Sequence, residues 1–185
     1  MMSFRRKRKI FLNMDDRLMY KYKGFFLAFR KTSSTFVWKL LTTENNMKHS
    51  IETIWKGKMK FSAELDGHTI VVDAGADAGG EDAGPRPKKL MMLALAGCTG
   101  MDVVSLLNKM RVEFDDFSLS VDANVTDEHP KHYDSMHITY RFKGKNLPMD
   151  KLQKVVEMSQ EKYCGVSAAY KKGMDITWEI VVVPD

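Results

Sequence analysis

Residues 87–111 read PKKLMMLALAGCTGMDVVSLLNKMR, and this stretch decides the fold. Its apolar residues follow helical spacing, no glycine occurs before Gly97, and Cys98 lies in the middle. Pro85 and Pro87 set the start, because proline fits the first turn of a helix and disrupts its interior. A helix that is apolar on nearly every face belongs inside a fold. The stretch therefore predicts a buried central helix, in which Cys98 is either core filler or a nucleophile.

The sequence on both sides of the helix predicts strands and one further helix. The predicted order is two strands (51–65 and 68–73), the central helix, two long strands (112–125 and 133–143), an amphipathic helix (149–163) and a last strand (174–183). Asp66-Gly67 predicts a tight hairpin turn between the first two strands. This order is typical of an α+β domain with antiparallel sheets wrapped around the buried central helix.

Three local signals refine this prediction. A slip in the alternation at Asp115-Asp116 predicts a β-bulge. In 133–143 one set of alternate residues is apolar and the other polar, which predicts a sheet with one face toward water. Cys164-Gly165 is a natural stop for the second helix.

Residues 1–46 differ from the rest of the chain in charge. They hold 11 Lys and Arg against 3 Asp and Glu, which leaves 18 against 21 for residues 47–185. The mildly acidic remainder argues against nucleic-acid binding by residues 47–185. We predict a basic extension over 1–46 and a domain over 47–185. Three interpretations of the extension stay open: an irregular segment, a tether to anionic lipid or nucleic acid, or sequence upstream of a native start at Met47.

Composition sets the expected compartment. No segment is expected to provide the roughly 18–20 uncharged apolar residues that cross a bilayer. Two cysteines do not make the disulfide framework of a secreted domain. The sequence therefore predicts a soluble cytoplasmic protein with reduced thiols. We predict no cofactor, and no metal site either, since the chain has no C-x-x-C pair and no H-x-x-x-H spacing.

Cys98 and Cys164 are the candidate chemical residues. The residues around Cys98 are small: Ala94, Ala96, Gly97 and Gly100. They leave room for a substrate next to the sulfur. A thiolate attacks and a second thiol resolves the resulting sulfenic acid, so Cys164 is a resolving candidate if the two helices pack together. Asp102 lies one helical turn after Cys98 on the same side. The alternative is that Cys98 is a small buried hydrophobe.

The residues around both cysteines resemble the OsmC/Ohr family, named for an osmotically inducible protein and for organic hydroperoxide resistance. The matching stretches are GPRPKKL (84–90), LAGCTGMDVV (95–104) and YCGVSA (163–168), and the resemblance covers roughly residues 50–185. It implies an intertwined homodimer of α+β subunits with active sites at the interface. It also implies reduction of an organic or inorganic hydroperoxide by a peroxidatic Cys98 and a resolving Cys164, with regeneration by an external dithiol such as a lipoylated protein.

The sequence departs from the family pattern in the first turn of the central helix and in the partner of that turn. Well-characterised peroxidases of the family carry a glutamate in the first turn of the central helix, paired with an arginine from the N-terminal strands. Lys88 occupies that position, and no arginine occurs between Lys31 and Arg86. Lys88 or Arg86 would act on the Cys98 thiol by charge alone. Two functions stay open: a thiol peroxidase, and a non-catalytic dimer that binds a small apolar or electrophilic ligand in the same pocket.

Overall fold

The structure, a computed structural model, describes residues 47–184. From Ile51 onward the chain forms one compact unit. The predictions for residues 1–46, including their separation from the domain at Met47, lie outside the described residues.

The compact unit is a mixed α+β domain with a central helix, as predicted, and it contains two three-stranded sheets. The single strand predicted over 51–65 forms two strands, because Gly57 and Lys58 adopt positive φ values of 97° and 46° and turn the chain between them. The first sheet contains β1 (Ile54–Trp55), β2 (Phe61–Leu65) and β3 (His68–Val72). The remaining elements are α1 (Leu90–Lys109), β4 (Asp116–Val125), β5 (Tyr133–Lys143), α2 (Met149–Met158), α3 (Gly165–Tyr170) and β6 (Asp175–Val183). A single 3-10 turn, Pro87–Lys89, leads into α1.

The predicted hairpin in the first sheet is confirmed. Asp66 and Gly67 both have positive φ values, 51° and 81°. Two consecutive positive φ values twist the turn in the sense that matches antiparallel strands. Accordingly β2 and β3 pair antiparallel, with Leu65 opposite His68.

One strand pairing differs from the prediction. β4 and β5 are antiparallel, but β6 pairs with β5 in parallel, with Ile180 beside Tyr140. The reason is the connection: α2 and α3 carry the chain back to the end at which β5 began, so β6 enters the sheet in the same direction. The expectation of wholly antiparallel sheets was therefore wrong for this pair.

The predicted bulge also lies elsewhere. β4 begins at Asp116, so the slip at Asp115-Asp116 marks the start of the strand. The irregularity in the β4–β5 register falls at the other end, between Asn124 and Val125. The break in the apolar–polar alternation was real, but the start of a strand and a β-bulge both produce such a break, and the sequence alone did not distinguish them.

The core lies between the second sheet and the helices. On β5 the apolar set is buried and comprises Met136, Ile138, Tyr140 and Phe142. It packs with buried residues of α1 (Leu95, Val103, Leu107) and α2 (Leu152, Val155, Val156). On the other face of β5, Ser135, His137 and Arg141 are partly exposed, which confirms the prediction of a sheet with one face toward water.

The central helix is buried on one face and exposed on the other. It contacts β4, α2 and α3, but Leu93 and Met101 on its outer face are 66% and 72% exposed. Within this one chain, the prediction that α1 is buried on nearly every face was wrong. The physical reason is that a single sheet and two helices cover only one side of a cylinder.

The same segment corrects the expectation about membrane-spanning length. By length and composition alone, Pro87–Lys109 is long and apolar enough to cross a bilayer. A core helix of a soluble protein has the same composition, and Leu95, Val103 and Leu107 are fully buried in this domain. The described residues therefore contain no clear transmembrane span.

Candidate active site

Two cysteines and one carboxylate meet where α1 and α3 pack together. The sulfur atoms of Cys98 and Cys164 and a carboxylate oxygen of Asp102 all lie within 4.8 Å of one another. Both cysteines are free thiols. Cys98 is half-buried, whereas Cys164 is only 2% exposed. The structure thus brings together three of the five residues that the sequence singled out.

Cys164 owes its position to a break between two helices. After α2 the chain forms one π-helical turn, Ser159–Tyr163, which ends when Cys164 adopts an extended conformation. Its backbone N–H still donates to Ser159 O at 2.8 Å. The predicted helix stop is confirmed for α2, but Gly165 also begins α3, with Cys164 as the residue that caps it. The Cys164 Sγ accepts a 3.3 Å hydrogen bond from the Ser167 N–H.

The Cys98 sulfur lies against the start of α3. Its neighbours there include the backbone N–H of Val166. Around it the small residues do allow close packing: a Cβ on Gly100 would lie 3.0 Å from Leu119 Cδ1, whereas one on Gly97 would meet no atom within 4 Å. Gly100 therefore faces β4, and Gly97 faces the open side of α1.

The surroundings of Cys98 favour the neutral thiol. Burial raises the pKa of Cys98 above its ordinary value of 9.0, and the neighbouring Cys164 and Asp102 raise it further. The Val166 N–H acts in the opposite direction. Because burial and nearby negative charge both disfavour a thiolate, the net effect leaves Cys98 mostly protonated near neutral pH.

Arg86 and Lys88 have other partners in this chain. Arg86 forms an ion pair with Asp82 and donates to Gly84 O at 3.1 Å. Lys88 Nζ donates to Lys131 O at 2.8 Å. Neither cation belongs to the thiol cluster, so within the described residues the Cys98 sulfur lacks the positive charge that the sequence offered for it.

A buried hydrogen-bonded network, which sequence reasoning missed, adjoins the thiol pair. Thr99 Oγ1 lies 2.6 Å from the Tyr140 hydroxyl and 2.8 Å from Ser159 Oγ. Gln160 Nε2 donates to Thr99 Oγ1 at 3.1 Å and to the Tyr140 hydroxyl at 2.8 Å. Ser167 Oγ in turn donates to Gln160 Oε1 at 3.0 Å. The sequence signal that could have indicated this network was a polar residue, Thr99 or Ser159, on an otherwise apolar helix face.

The network ends at the carboxylate of the thiol cluster. Ser159 Oγ donates to Asp102 Oδ2 at 3.0 Å. A hydroxyl has only one proton to donate, so Ser159 accepts from Thr99. Thr99 has then used its own proton and accepts from Tyr140. Each hydroxyl therefore donates toward Asp102, and the chain of bonds fixes that carboxylate beside the two sulfur atoms.

A buried carboxylate lies in the loop that precedes the central helix. Asp73 accepts hydrogen bonds from the backbone N–H groups of Ala74 (2.8 Å), Glu81 (3.0 Å) and Ala83 (3.1 Å). Burial acts to raise the pKa of Asp73, but the three N–H donors outweigh it and lower the pKa below its ordinary value. The acidic loop that precedes Pro85 is thus organised around its own carboxylate, and it needs no bound anion to order it.

The fold and the site define a class: α+β domains in which a half-buried thiol on a central helix meets a second, buried thiol. The family model for the OsmC-like protein matches residues 79–179, and the chain belongs to the OsmC family. Membership in the OsmC/Ohr family supports a stress-response or peroxidase-like role. OsmC-family proteins are commonly dimeric.

Individual proteins are similar over most of the domain. Protein YhfA of Escherichia coli (strain K12) is 28% identical over 130 residues, which cover 70% of this chain and 94% of YhfA. A hypothetical protein from Aquifex aeolicus VF5 is 28% identical with a TM-score of 0.63, over 74% of this chain and 99% of that chain. An organic hydroperoxide resistance protein OsmC from Legionella pneumophila shares the fold, with a TM-score of 0.55 at 17% identity, over 73% of this chain and 98% of that chain.

Proposed function

We propose that this protein is a thiol-dependent peroxidase that reduces organic or inorganic hydroperoxides. The observation that carries the proposal is the approach of the Cys98 and Cys164 sulfur atoms to within 4.8 Å, from positions 66 residues apart in sequence. Disulfide formation requires Cα atoms within roughly 7 Å and sulfur atoms about 2 Å apart, so the two sulfur atoms must come closer before the bond forms.

The proposed reaction has three steps. Cys98 loses its proton and the thiolate attacks one oxygen of the hydroperoxide. The O–O bond breaks, and the alcohol (water for an inorganic hydroperoxide) leaves after taking up a proton. Cys98 is then a sulfenic acid, and attack by the Cys164 sulfur forms the disulfide and releases water. An external dithiol or lipoylated protein reduces the disulfide, becomes oxidised itself, and returns both thiols.

A homodimer is part of this proposal. Large apolar side chains of the first sheet are exposed in the single chain: Ile54, Trp55, Phe61, Leu65 and Ile70. The outer face of α1 is exposed as well, at Leu93 and Met101. Apolar surfaces of this extent on both a sheet and a helix support coverage by a second copy. Reduced thiols support a cytoplasmic location.

A competing function is favoured by one specific observation. The pKa of Cys98 is raised, and among the described residues Arg86 and Lys88 are engaged elsewhere. A thiol in that state supports a non-catalytic dimer that binds a small apolar or electrophilic ligand. Under this alternative, the thiols remain unreactive toward hydroperoxides and native mass spectra show a bound small molecule.

The test is to add cumene hydroperoxide to the reduced protein and follow both free thiols. The peroxidase predicts loss of two thiols per chain in the wild type and protection of Cys164 in Cys98→Ser. It also predicts that Cys164→Ser accumulates a sulfenic acid that a dimedone-type reagent traps on Cys98. Equal thiol loss in wild type and Cys98→Ser, or no loss in either, would refute the peroxidase.

A further inference from the structure

The thiol cluster has the composition of a metal site. Within the described residues, Cys98, Asp102 and Cys164 form the one group of three potential ligands whose donor atoms lie within 4.8 Å of one another. Two sulfur donors and one carboxylate oxygen are a donor set that suits Zn²⁺, which takes cysteine sulfur, histidine nitrogen and carboxylate oxygen.

The distances leave little to adjust. A tetrahedral Zn²⁺ ion with Zn–S bonds near 2.3 Å and a Zn–O bond near 2.1 Å holds its ligand atoms roughly 3.6–3.8 Å apart. The three donor atoms lie at most 4.8 Å apart. A contraction of about 1 Å would bring the three atoms to the spacing of zinc ligands.

Two of the three donors also have a supporting hydrogen bond of the kind that surrounds metal ligands. The Cys164 sulfur accepts from the Ser167 N–H at 3.3 Å. Backbone N–H donors stabilise sulfur in its thiolate form, which is the form that binds metal. The Asp102 carboxylate is held by Ser159 at 3.0 Å. Such outer partners orient ligands and tune the affinity of a metal site.

The electrostatics of the cluster favour a cation. Three groups that are negatively charged when deprotonated lie within 4.8 Å of one another, and like charges at that separation repel. The nearby cations of the sequence, Arg86 and Lys88, bind Asp82 and Lys131 O instead. A divalent cation would relieve that repulsion, because metal coordination stabilises a thiolate directly.

We propose that Cys98, Cys164 and Asp102 bind one Zn²⁺ ion in the reduced protein, with water as the fourth ligand. Binding displaces one proton from each thiol into solvent, and no electron is transferred. The site is distinct in kind from the peroxidase, since zinc binding needs neither peroxide nor reductant. The two states exclude each other: zinc occupies both thiolates, and a Cys98–Cys164 disulfide leaves no thiolate to bind zinc.

The test uses the reduced full-length protein after removal of metal by a chelator. Co²⁺ is added first, because a thiolate ligand gives Co²⁺ a near-ultraviolet charge-transfer band that carboxylate and imidazole ligands do not give. Zn²⁺ is then titrated in competition with a chromogenic chelator. We expect one equivalent of Co²⁺ with the charge-transfer band, and displacement of that Co²⁺ by one equivalent of Zn²⁺.

The variants separate this site from binding at surface histidines. Cys98→Ser and Cys164→Ser each lose at least tenfold in Zn²⁺ affinity, and Asp102→Asn weakens binding while it keeps the sulfur band. Asp115→Asn, an exposed carboxylate elsewhere, binds as the wild type does. If a cysteine variant does not fold, wild-type protein alkylated at Cys98 replaces it and should lose the band. Absence of the band in the wild type, or unchanged titrations in the cysteine variants and the alkylated protein, would overturn the site.

The same samples keep the two proposals apart. Thiol loss with cumene hydroperoxide is measured in the presence of chelator, where the peroxidase acts without competition. One equivalent of Zn²⁺ is expected to slow that loss. A protein that shows the Co²⁺ charge-transfer band but no reaction with peroxide fails as a peroxidase and stands as a zinc-binding protein, and the converse result excludes the zinc site alone.

Discussion

Ser159 Oγ donates a 3.0 Å hydrogen bond to Asp102 Oδ2, and this bond holds a carboxylate beside two thiols. The arrangement is costly for a nucleophile, because a negative charge next to a sulfur disfavours its thiolate. Replacing Asp102 by a neutral residue of the same shape should therefore change the reactivity of Cys98 without changing the shape of the site.

Asp102→Asn should make Cys98 more reactive near neutral pH. The amide oxygen still accepts from Ser159, but the negative charge that raises the pKa of Cys98 is gone. We expect faster carboxamidomethylation of Cys98, followed by mass spectrometry of the peptide, with the rate profile displaced to lower pH. Asp115→Asn, which removes an exposed charge elsewhere, serves as the control and should match the wild type. Equal or slower reaction in Asp102→Asn would contradict the assigned role of the charge.

The pH dependence of the wild type follows from the same environment. Only the thiolate reacts, and burial raises the pKa of Cys98 above 9.0. The alkylation rate should therefore climb through pH 9 and reach its midpoint above that value. The folded protein holds this proton more tightly than the unfolded chain, so the stabilising contribution is complete below the unfolded pKa and declines as the pH rises past it. A midpoint near or below neutral pH would show that a cation outside the described contacts activates the thiol.

Tyr140→Phe should destabilise the fold. It keeps the ring but removes a hydroxyl that Thr99 and Gln160 share in the buried network. Buried polar groups that lose a partner cost about 1–3 kcal/mol of unfolding free energy. Urea unfolding measures the change. Tyr163→Phe is the matched control, because that ring is 46% exposed, and its unfolding free energy should stay within about 0.5 kcal/mol of the wild type.

Leu93→Asp should dissociate the proposed homodimer. Leu93 is 66% exposed on the outer face of α1, and a carboxylate there would be buried without a partner if a second copy covers the helix. Size-exclusion chromatography with light scattering should show a shift from dimer to monomer. Met149→Asp places the same charge on a 49% exposed apolar residue of α2 and should leave the dimer intact. A wild type that is monomeric, or a Leu93→Asp variant that remains dimeric, would rule out this face.

The spacing of apolar residues predicted most helices and strands well, because each kind of element has its own repeat along the sequence. The bounds of β5 match the predicted 133–143. The direction of β6 was not predictable from its own residues, since it depends on the crossover that precedes it. The exposed side of α1 could not be predicted either, because apolar residues on every face do not reveal which side the rest of the same chain covers.

The sequence predicted which two cysteines form the candidate site, but it did not predict their surroundings. Cys98 and Cys164 could be chosen from small neighbours, helix positions and a family resemblance. The network was missed because Thr99, Tyr140 and Gln160 come from three different elements, and only the packed fold places them within hydrogen-bonding distance. The hydrogen-bond partners of Arg86 and Lys88 were not predicted either. Arg86 donates to a loop carbonyl, and Lys88 donates to a carbonyl 43 residues away in sequence.

The parallel pairing of β5 with β6 anchors both ends of the segment that contains Cys164. Cys164 lies in the crossover, and both ends of that crossover are anchored in one sheet. Strand pairing at both ends of the crossover fixes where this segment leaves the sheet and where it re-enters it. Cys164 is also nearly absent from the surface. If the proposed Cys98–Cys164 disulfide forms, an external dithiol would attack it at Cys98, the more exposed of the two sulfur atoms. Under that proposal, one sulfur atom would meet both the oxidant and the reductant.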